Sequence, residues 1–185
     1  MNQTQQNLLK AITGESVARN RYTFYAKLAR KEGYEWIARV FEETADNERA
    51  HAEEEMEKLT GKTMTNLDME VLPLSSTLNN LKASAQGELF ETNTMYPDFE
   101  KQARKDGEKV IADMFREIGE VEEKHAERYL ILANRLAKKV LYKQSKKVEW
   151  KCLNCGYIHT GKEAPKVCPV CKKPQPWYMQ IGLLR

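Results

Sequence analysis

No stretch of this 185-residue chain approaches the roughly 18 consecutive apolar residues that a spanning helix needs, so no transmembrane helix is expected. The first residues, Met1 to Asn7, have neither a basic stretch nor an apolar core. No signal peptide is read there, and the cytoplasm is the expected location. A large charge excess is missing too: 30 Lys and Arg stand against 27 Asp and Glu. The +3 balance is local, since residues 148–185 hold six bases against two acids and the rest holds 24 against 25. With the Lys-rich joint before it (Lys138, Lys139, Lys143, Lys146, Lys147), that tail makes too small a patch for a nucleic-acid footprint. Cysteine is absent from the first 151 residues, while the last segment holds all four cysteines and four of the six prolines. The composition thus changes sharply after Lys147. Two domains are expected, 1–147 and 148–185, the first large enough for a real core and the second a small appendage.

What fills the first domain is helical periodicity. Residues 5–31 carry an apolar stripe (Leu8, Ile12, Tyr22, Tyr25, Leu28) that predicts a first helix, closed at Gly33. A second is predicted over 35–60, a third over 78–106 with Pro97 inside it, and a fourth over 108–142. Residues 61–77 have no helical period and read as a long crossover between two hairpins. The two halves repeat. Leu28-Ala29-Arg30-Lys31-Glu32-Gly33 is echoed by Gln102-Ala103-Arg104-Lys105-Asp106-Gly107, and an offset of 74 carries Tyr22 to Tyr96 and His51 to His125. Glu15 breaks the offset, because its counterpart is Glu88 rather than Leu89. One surplus residue must lie between Glu88 and Tyr96. A π-type widening near Thr92–Tyr96 is expected to absorb it, with Pro97 already weakening the helix there.

The same helices carry four groups of metal-ligand type: Glu15, Glu48 with His51, Glu88 with Glu91, and Glu122 with His125. Both Glu-x-x-His pairs place a carboxylate and an imidazole on one helix face. Two such helices plus two that give only glutamate is the ligand pattern of a dinuclear carboxylate-bridged site in a four-helix bundle. Other glutamates nearby (Glu42, Glu43, Glu53, Glu54, Glu55, Glu120, Glu123) read as solvated or as standing behind the ligands, and His159 as a surface residue.

In the tail, Cys152-x-x-Cys155 and Cys168-x-x-Cys171 are separated by twelve residues, a tetrahedral metal pattern. Four thiolates suit iron or zinc. Gly156 and Pro169, which shape the turns around sulfur, favour iron. Trp150, Tyr157, Trp177 and Tyr178 would form the aromatic core of this segment. Trp150-Lys151-Cys152-Leu153-Asn154-Cys155-Gly156-Tyr157 followed by Cys168-Pro169-Val170-Cys171 resembles rubredoxin.

A duplicated helical hairpin with this ligand set and a rubredoxin-like tail resembles the rubrerythrin family over nearly the whole chain. The resemblance implies a mainly α fold: a ferritin-like four-helix bundle with a long crossover, plus a small rubredoxin-like four-cysteine domain. It implies a di-iron site held by Glu15, Glu48, His51, Glu88, Glu91, Glu122 and His125, with Glu48 and Glu122 bridging and Tyr22 and Tyr96 beside it. It implies that Glu91 and His51 exchange on one iron as its oxidation state changes. A third iron, with zinc as its substitute, would sit on Cys152, Cys155, Cys168 and Cys171. The implied activity is a non-haem peroxidase of oxidative-stress defence, reducing hydrogen peroxide to water with electrons relayed through the four-cysteine iron. The implied partners are a donor such as rubredoxin or an NAD(P)H-dependent reductase and a second copy in a head-to-tail homodimer, with no nucleic acid and no membrane. Three rivals stay open on sequence: a ferritin-like iron oxidase or store, an oxygen-activating oxidase or hydroxylase, and a zinc-ribbon interaction protein.

Overall fold

Asn2 opens the first helix with a reciprocal cap. Its side chain accepts the Gln5 backbone N–H at 2.8 Å, and the Gln5 side chain accepts that of Asn2 at 3.2 Å. In the computed structural model, which describes residues 1–59, 61–63 and 72–184, α1 then runs over Gln3–Lys31 and α2 over Glu35–Glu57. The second hairpin has α3 at Thr77–Phe90, a π-turn at Glu91–Met95, α4 at Tyr96–Lys105 and α5 at Lys109–Ala137. Of the expected crossover, residues 64–71 lie outside the described residues.

The repeat shows in the joints. Gly33 and Gly107 both take left-handed backbone, with φ of 85° and 81°. The next N–H in each case reaches back to Ala29 or Ala103, closing equivalent helix ends. Beside these turns, Glu32 accepts the Thr77 N–H at 3.1 Å and Asp106 accepts the Thr4 N–H at 3.0 Å. Each hairpin's acid thus caps the first helix of the other hairpin, where an anion suits the helix dipole.

The π-turn answers the expected surplus residue: the Tyr96 N–H reaches Glu91 O, five residues back. Before it, the repeat offset is 73, as in Thr4 to Thr77 and Glu15 to Glu88; after it the offset is 74. Pro97 lies in the first turn of α4, where its missing donor costs little. The fourth helix stops earlier than its apolar pattern predicts. It ends at Ala137 because Lys139 turns left-handed (φ 57°) and the Arg135 guanidinium gathers the carbonyls of Val140 and Lys143.

The bundle core is split. Tyr22, Tyr25, Trp36, Phe41, Leu81, Tyr129 and Leu132 fill one end, and Leu8, Tyr96, Ala103, Ala112 and Phe115 the other. Each large fully buried side chain contributes about 1.5–3 kcal/mol. On α1, α2, α3 and α5 the buried positions between these two clusters include Glu15, Glu48, Glu88, Glu122 and His125. Past the bundle, β1 (Lys143–Cys152), β2 (Ile158–Glu163) and β3 (Tyr178–Gln180) form an antiparallel sheet in the order β2-β1-β3. Trp150 and Tyr178 sink from it into the first apolar cluster, so the sheet packs on the bundle of its own chain. No helix among the described residues is long and apolar enough to cross a membrane.

Candidate metal centre

The polar layer brings the sequence candidates together. Ligand-type atoms of Glu15, Glu48, His51 and Glu122 lie within 4.8 Å of one another, and so do those of Glu48, Glu88, Glu122 and His125. Glu122 is 0% exposed, and Glu48 and Glu88 are each 1% exposed. Glu48 and Glu122 belong to both groups, and each divides its two oxygens between the two histidines. Glu122 Oε1 is 2.9 Å from His51 Nδ1, and its Oε2 is 2.6 Å from His125 Nδ1. Glu48 Oε2 is 3.0 Å from His51 Nδ1, and its Oε1 is 3.4 Å from His125 Nδ1. Asn47 Oδ1, 3.2 Å from His125 Nε2, fixes the far side of that ring.

Apart from the hydrogen bonds of His125 to Glu122 Oε2 and Asn47, the short distances here do not make hydrogen bonds. Both oxygens of Glu48, Oε1 of Glu122 and Nδ1 of His51 are buried with no correctly directed partner. Their lone pairs converge on common points instead of on one another, the arrangement that fits a pair of bound cations. Carboxylates packed this closely repel and cost several kcal/mol each when buried unpaired. The protonation energetics carry that stress. Burial, then repulsion from Glu122 and Glu48, pushes the Glu15 carboxyl up to about 8. Burial and the Glu48 charge raise Glu88 well above the carboxylate range. Glu122 goes the other way: burial opposes its charge, but His125 and His51 outweigh burial and hold it at about 2. His125 is correspondingly held up at about 9, its contacts to Glu122 and Glu48 overcoming burial.

Two tyrosines brace the outer carboxylates. The Tyr22 hydroxyl donates to Glu88 and the Tyr96 hydroxyl to Glu15, each tying one hairpin to the other. Glu91 opens the π-turn, half-buried, and unlike the other six sequence candidates it is in neither of the two close groups. Of the glutamates read as solvated or standing behind the ligands, Glu42, Glu43, Glu53, Glu54, Glu120 and Glu123 are exposed, whereas Glu55 is fully buried. Its spacing, four after His51 and seven after Glu48, is the signal that places it on the ligand face.

In the tail, Cys152 Sγ lies 3.6 Å from Cys171 Sγ, and Cys155 Sγ lies 3.7 Å from Cys168 Sγ. A disulfide would need about 2.0 Å. Four sulfurs at about 2.3 Å from a central ion stand roughly 3.8 Å apart, so these four fit a tetrahedral metal. Two matching turns present them: Gly156 N–H to Cys152 O and Lys172 N–H to Cys168 O, at 2.9 and 3.0 Å. The left-handed residue is Gly156 in one (φ 77°) and Lys172 in the other (φ 61°). Burial disfavours a Cys168 thiolate, but the Cys171 N–H, the Tyr178 hydroxyl and the Val170 N–H outweigh it and bring the thiol down to about 6.

Comparison with known proteins agrees with this geometry. The sequence model of the family described as Rubrerythrin matches residues 6–133, and that of its rubredoxin-like domain matches residues 150–178. A putative rubrerythrin of Methanocaldococcus jannaschii is 45% identical over 96% of this chain and 92% of its own. A rubrerythrin of Porphyromonas gingivalis is 43% identical over 95% and 88%. A solved nigerythrin in a mixed-valence state superposes with a TM-score of 0.66 at 35% identity, covering 97% of this chain and 87% of that one. With a ferritin-like bundle, a carboxylate and histidine layer and a four-cysteine unit in one chain, this protein belongs to the rubrerythrin family.

Proposed function

We propose that this chain is a non-haem di-iron peroxidase that reduces hydrogen peroxide to water in oxidative-stress defence. The observation that carries the reading is the pair Glu48 and Glu122, each offering one oxygen to each histidine side. Bridging carboxylates of this kind hold two metals at the few ångströms that two-metal chemistry uses. Glu15 and His51 would complete one metal, and Glu88 and His125 the other. Glu91 on the π-turn and His51 on α2 would be alternative donors, the carboxylate suiting a ferric ion and the imidazole a ferrous one. Two bound ferrous ions would supply the two electrons that cleave the peroxide O–O bond.

The chain's own groups set the conditions for that chemistry. Tyr22 and Tyr96 orient Glu88 and Glu15 and present hydroxyl protons within the buried layer. The apolar clusters on either side keep bulk water out. Cys152, Cys155, Cys168 and Cys171 would hold a third iron as the electron entry, with zinc as its redox-silent substitute, and residues 1–147 and 148–185 would be the two functional units. The Trp177 ring of the tail meets Arg39 at 5.7 Å. His51 lies twelve residues further along α2, about 18 Å at 1.5 Å per residue. That in-chain span favours a head-to-tail homodimer, in which the partner's tail serves this bundle. Rubredoxin or an NAD(P)H-dependent reductase would supply the electrons. Four reduced thiols suit the cytoplasm.

The test is a red purified protein whose Cys168→Ser variant loses both the colour and turnover with external donors. Once chemically reduced, the variant should still be oxidised a single time by peroxide. An iron-loaded wild type that peroxide leaves reduced would overturn the proposal.

A further inference from the structure

Tyr178 lies in β3, paired with Cys152 on β1, and the Leu153 N–H holds that strand through Trp177 O at 2.7 Å. The strand therefore starts beside the first cysteine turn, yet its phenol reaches the second. The Tyr178 side chain is 0% exposed, as is Cys168. Its hydroxyl is buried with no oxygen or nitrogen partner among the described residues. What it faces is Cys168, with Cys152 and Tyr157 beyond. A buried hydroxyl left unpaired is costly, so this one needs an acceptor. A thiol accepts weakly, whereas the thiolate that a metal would hold accepts strongly.

We propose that Tyr178 donates its phenolic hydrogen to the Cys168 sulfur and so raises the reduction potential of an iron held by the four cysteines. This rests on the reading of that unit as an iron site. Hydrogen bonds to the sulfurs are among the levers that set the potential of an iron centre held by cysteines. Reduction adds one negative charge to a centre that four thiolates already make negative. A donor to sulfur draws off part of that charge and favours the reduced state.

The other donors differ from Tyr178 in kind. The Tyr157 N–H serves Cys155, the Lys173 N–H serves Cys171, and the Val170 and Cys171 N–H groups serve Cys168. Those come with the backbone of the turns. Asn154 adds a side chain toward Cys171 but stands exposed, where water competes for it. Tyr178 is sealed from water, and a phenylalanine ring would fill the same space without the donor. For the proposed reaction, an external donor would pass its electron downhill into the tail. One electron enters and one leaves to the metal pair of a bundle, and the phenol keeps its proton throughout.

The test uses the full-length, iron-loaded protein and follows its red absorption through a potentiometric titration. Tyr178→Phe keeps the ring and loses the donor. Its reduction equilibrium should fall about 10-fold, ~59 mV for one electron. Its sulfur-to-iron charge-transfer band should move to longer wavelength, because sulfur lone pairs without the hydrogen bond lie higher in energy. A purely structural role would leave potential and band at wild-type values, and that result overturns the proposal. Should the phenylalanine variant fail to hold iron, a ring-fluorinated tyrosine at the same position decides. Its more acidic phenol donates more strongly and should raise the potential, and an unchanged or lowered potential overturns the proposal. A wild type that stays colourless after iron loading would sink the iron reading of the four cysteines, and the role of Tyr178 with it. A red wild type that shows these shifts but no peroxide turnover would sink the peroxidase reading alone.

Discussion

Glu35 shows how one carboxylate is kept ionised in the interior while those of the metal layer are pushed toward neutrality. Its side chain is 7% exposed and takes Arg30 Nε at 2.9 Å and Arg39 Nε at 3.0 Å. Burial works against its charge, but the two guanidiniums prevail and hold its pKa below the ordinary value. A lowered pKa stabilises the fold above the unfolded value of about 4.3, and that contribution is lost as pH falls through the folded value. Glu35→Gln should therefore cost about 1 kcal/mol at pH 7, a modest figure because both arginines are over 40% exposed and screened. The gap to wild type should close below about pH 4. Urea melts at pH 7 and pH 3 measure it, and a pH-independent difference would show that packing, not charge, is what Glu35 supplies. In the metal layer the balance differs, since Glu15 and Glu88 have no arginine partner and only bound cations would relieve them.

The π-turn is the element on which the site depends. It lets Glu88 and Glu91 precede, and Tyr96 follow, a one-residue change of register without unfolding the helix. Thr92 Oγ donates to Gly119 O at 2.9 Å and ties the turn to α5. A Cβ added at Gly119 would stand 3.1 Å from Tyr96 Cβ, so a larger residue there would have to push Tyr96 back by a few tenths of an ångström. Deleting Asn93, which is exposed on this turn, should restore a regular α ladder. The seven-residue spacing that Glu15 and Tyr22 have on the regular helix α1 would then hold between Glu88 and Tyr96, so Tyr96 keeps its register and the turn that carries Glu91 is what changes. Circular dichroism should report wild-type helicity and iron analysis a loss of up to half the bundle's metal, the share that Glu91 would help to hold. Full iron content in the deletion variant would mean that the wide turn does not matter to metal binding.

At the scale of the whole molecule, the bundle has one apolar cluster of its own and a second that it shares with the tail, whereas the tail has a short three-stranded sheet and four sulfurs. Trp177 pins the tail, with Arg39 on one ring face contact at 5.7 Å and Lys173 at 4.4 Å. A unit this small leans on its metal to fold. A chelator strong enough to strip the four-cysteine site should open residues 143–184 to protease while the helices stay intact. Restoring either iron or zinc should return protection, because both suit a thiolate tetrahedron. Metal in the bundle adds stability by mass action, about 2.7 kcal/mol at a hundredfold excess over Kd. A tail that stays protected after complete stripping would show that Trp150 and Tyr178, sunk in the bundle core, hold it without metal.

The sequence alone located the helices, the glutamate and histidine candidates, the paired cysteines and the surplus residue, because each is a matter of spacing along one chain. Glu48 with His51, Glu122 with His125 and the paired Cys-x-x-Cys units are legible as local periodicity, and the 73-to-74 change of offset locates the π-turn. Only the tertiary structure decided how these groups face one another. Glu55 has the same composition and helix as the exposed Glu53 and Glu54, and it differs only in which side of α2 meets Tyr96 from a helix 41 residues away. The apolar pattern of α5 runs on past Ala137, yet the helix stops where Arg135 can gather the carbonyls of a strand that spacing alone does not announce. Burial and hydrogen-bond direction are properties of neighbours brought together by the fold, and no stretch of sequence contains them.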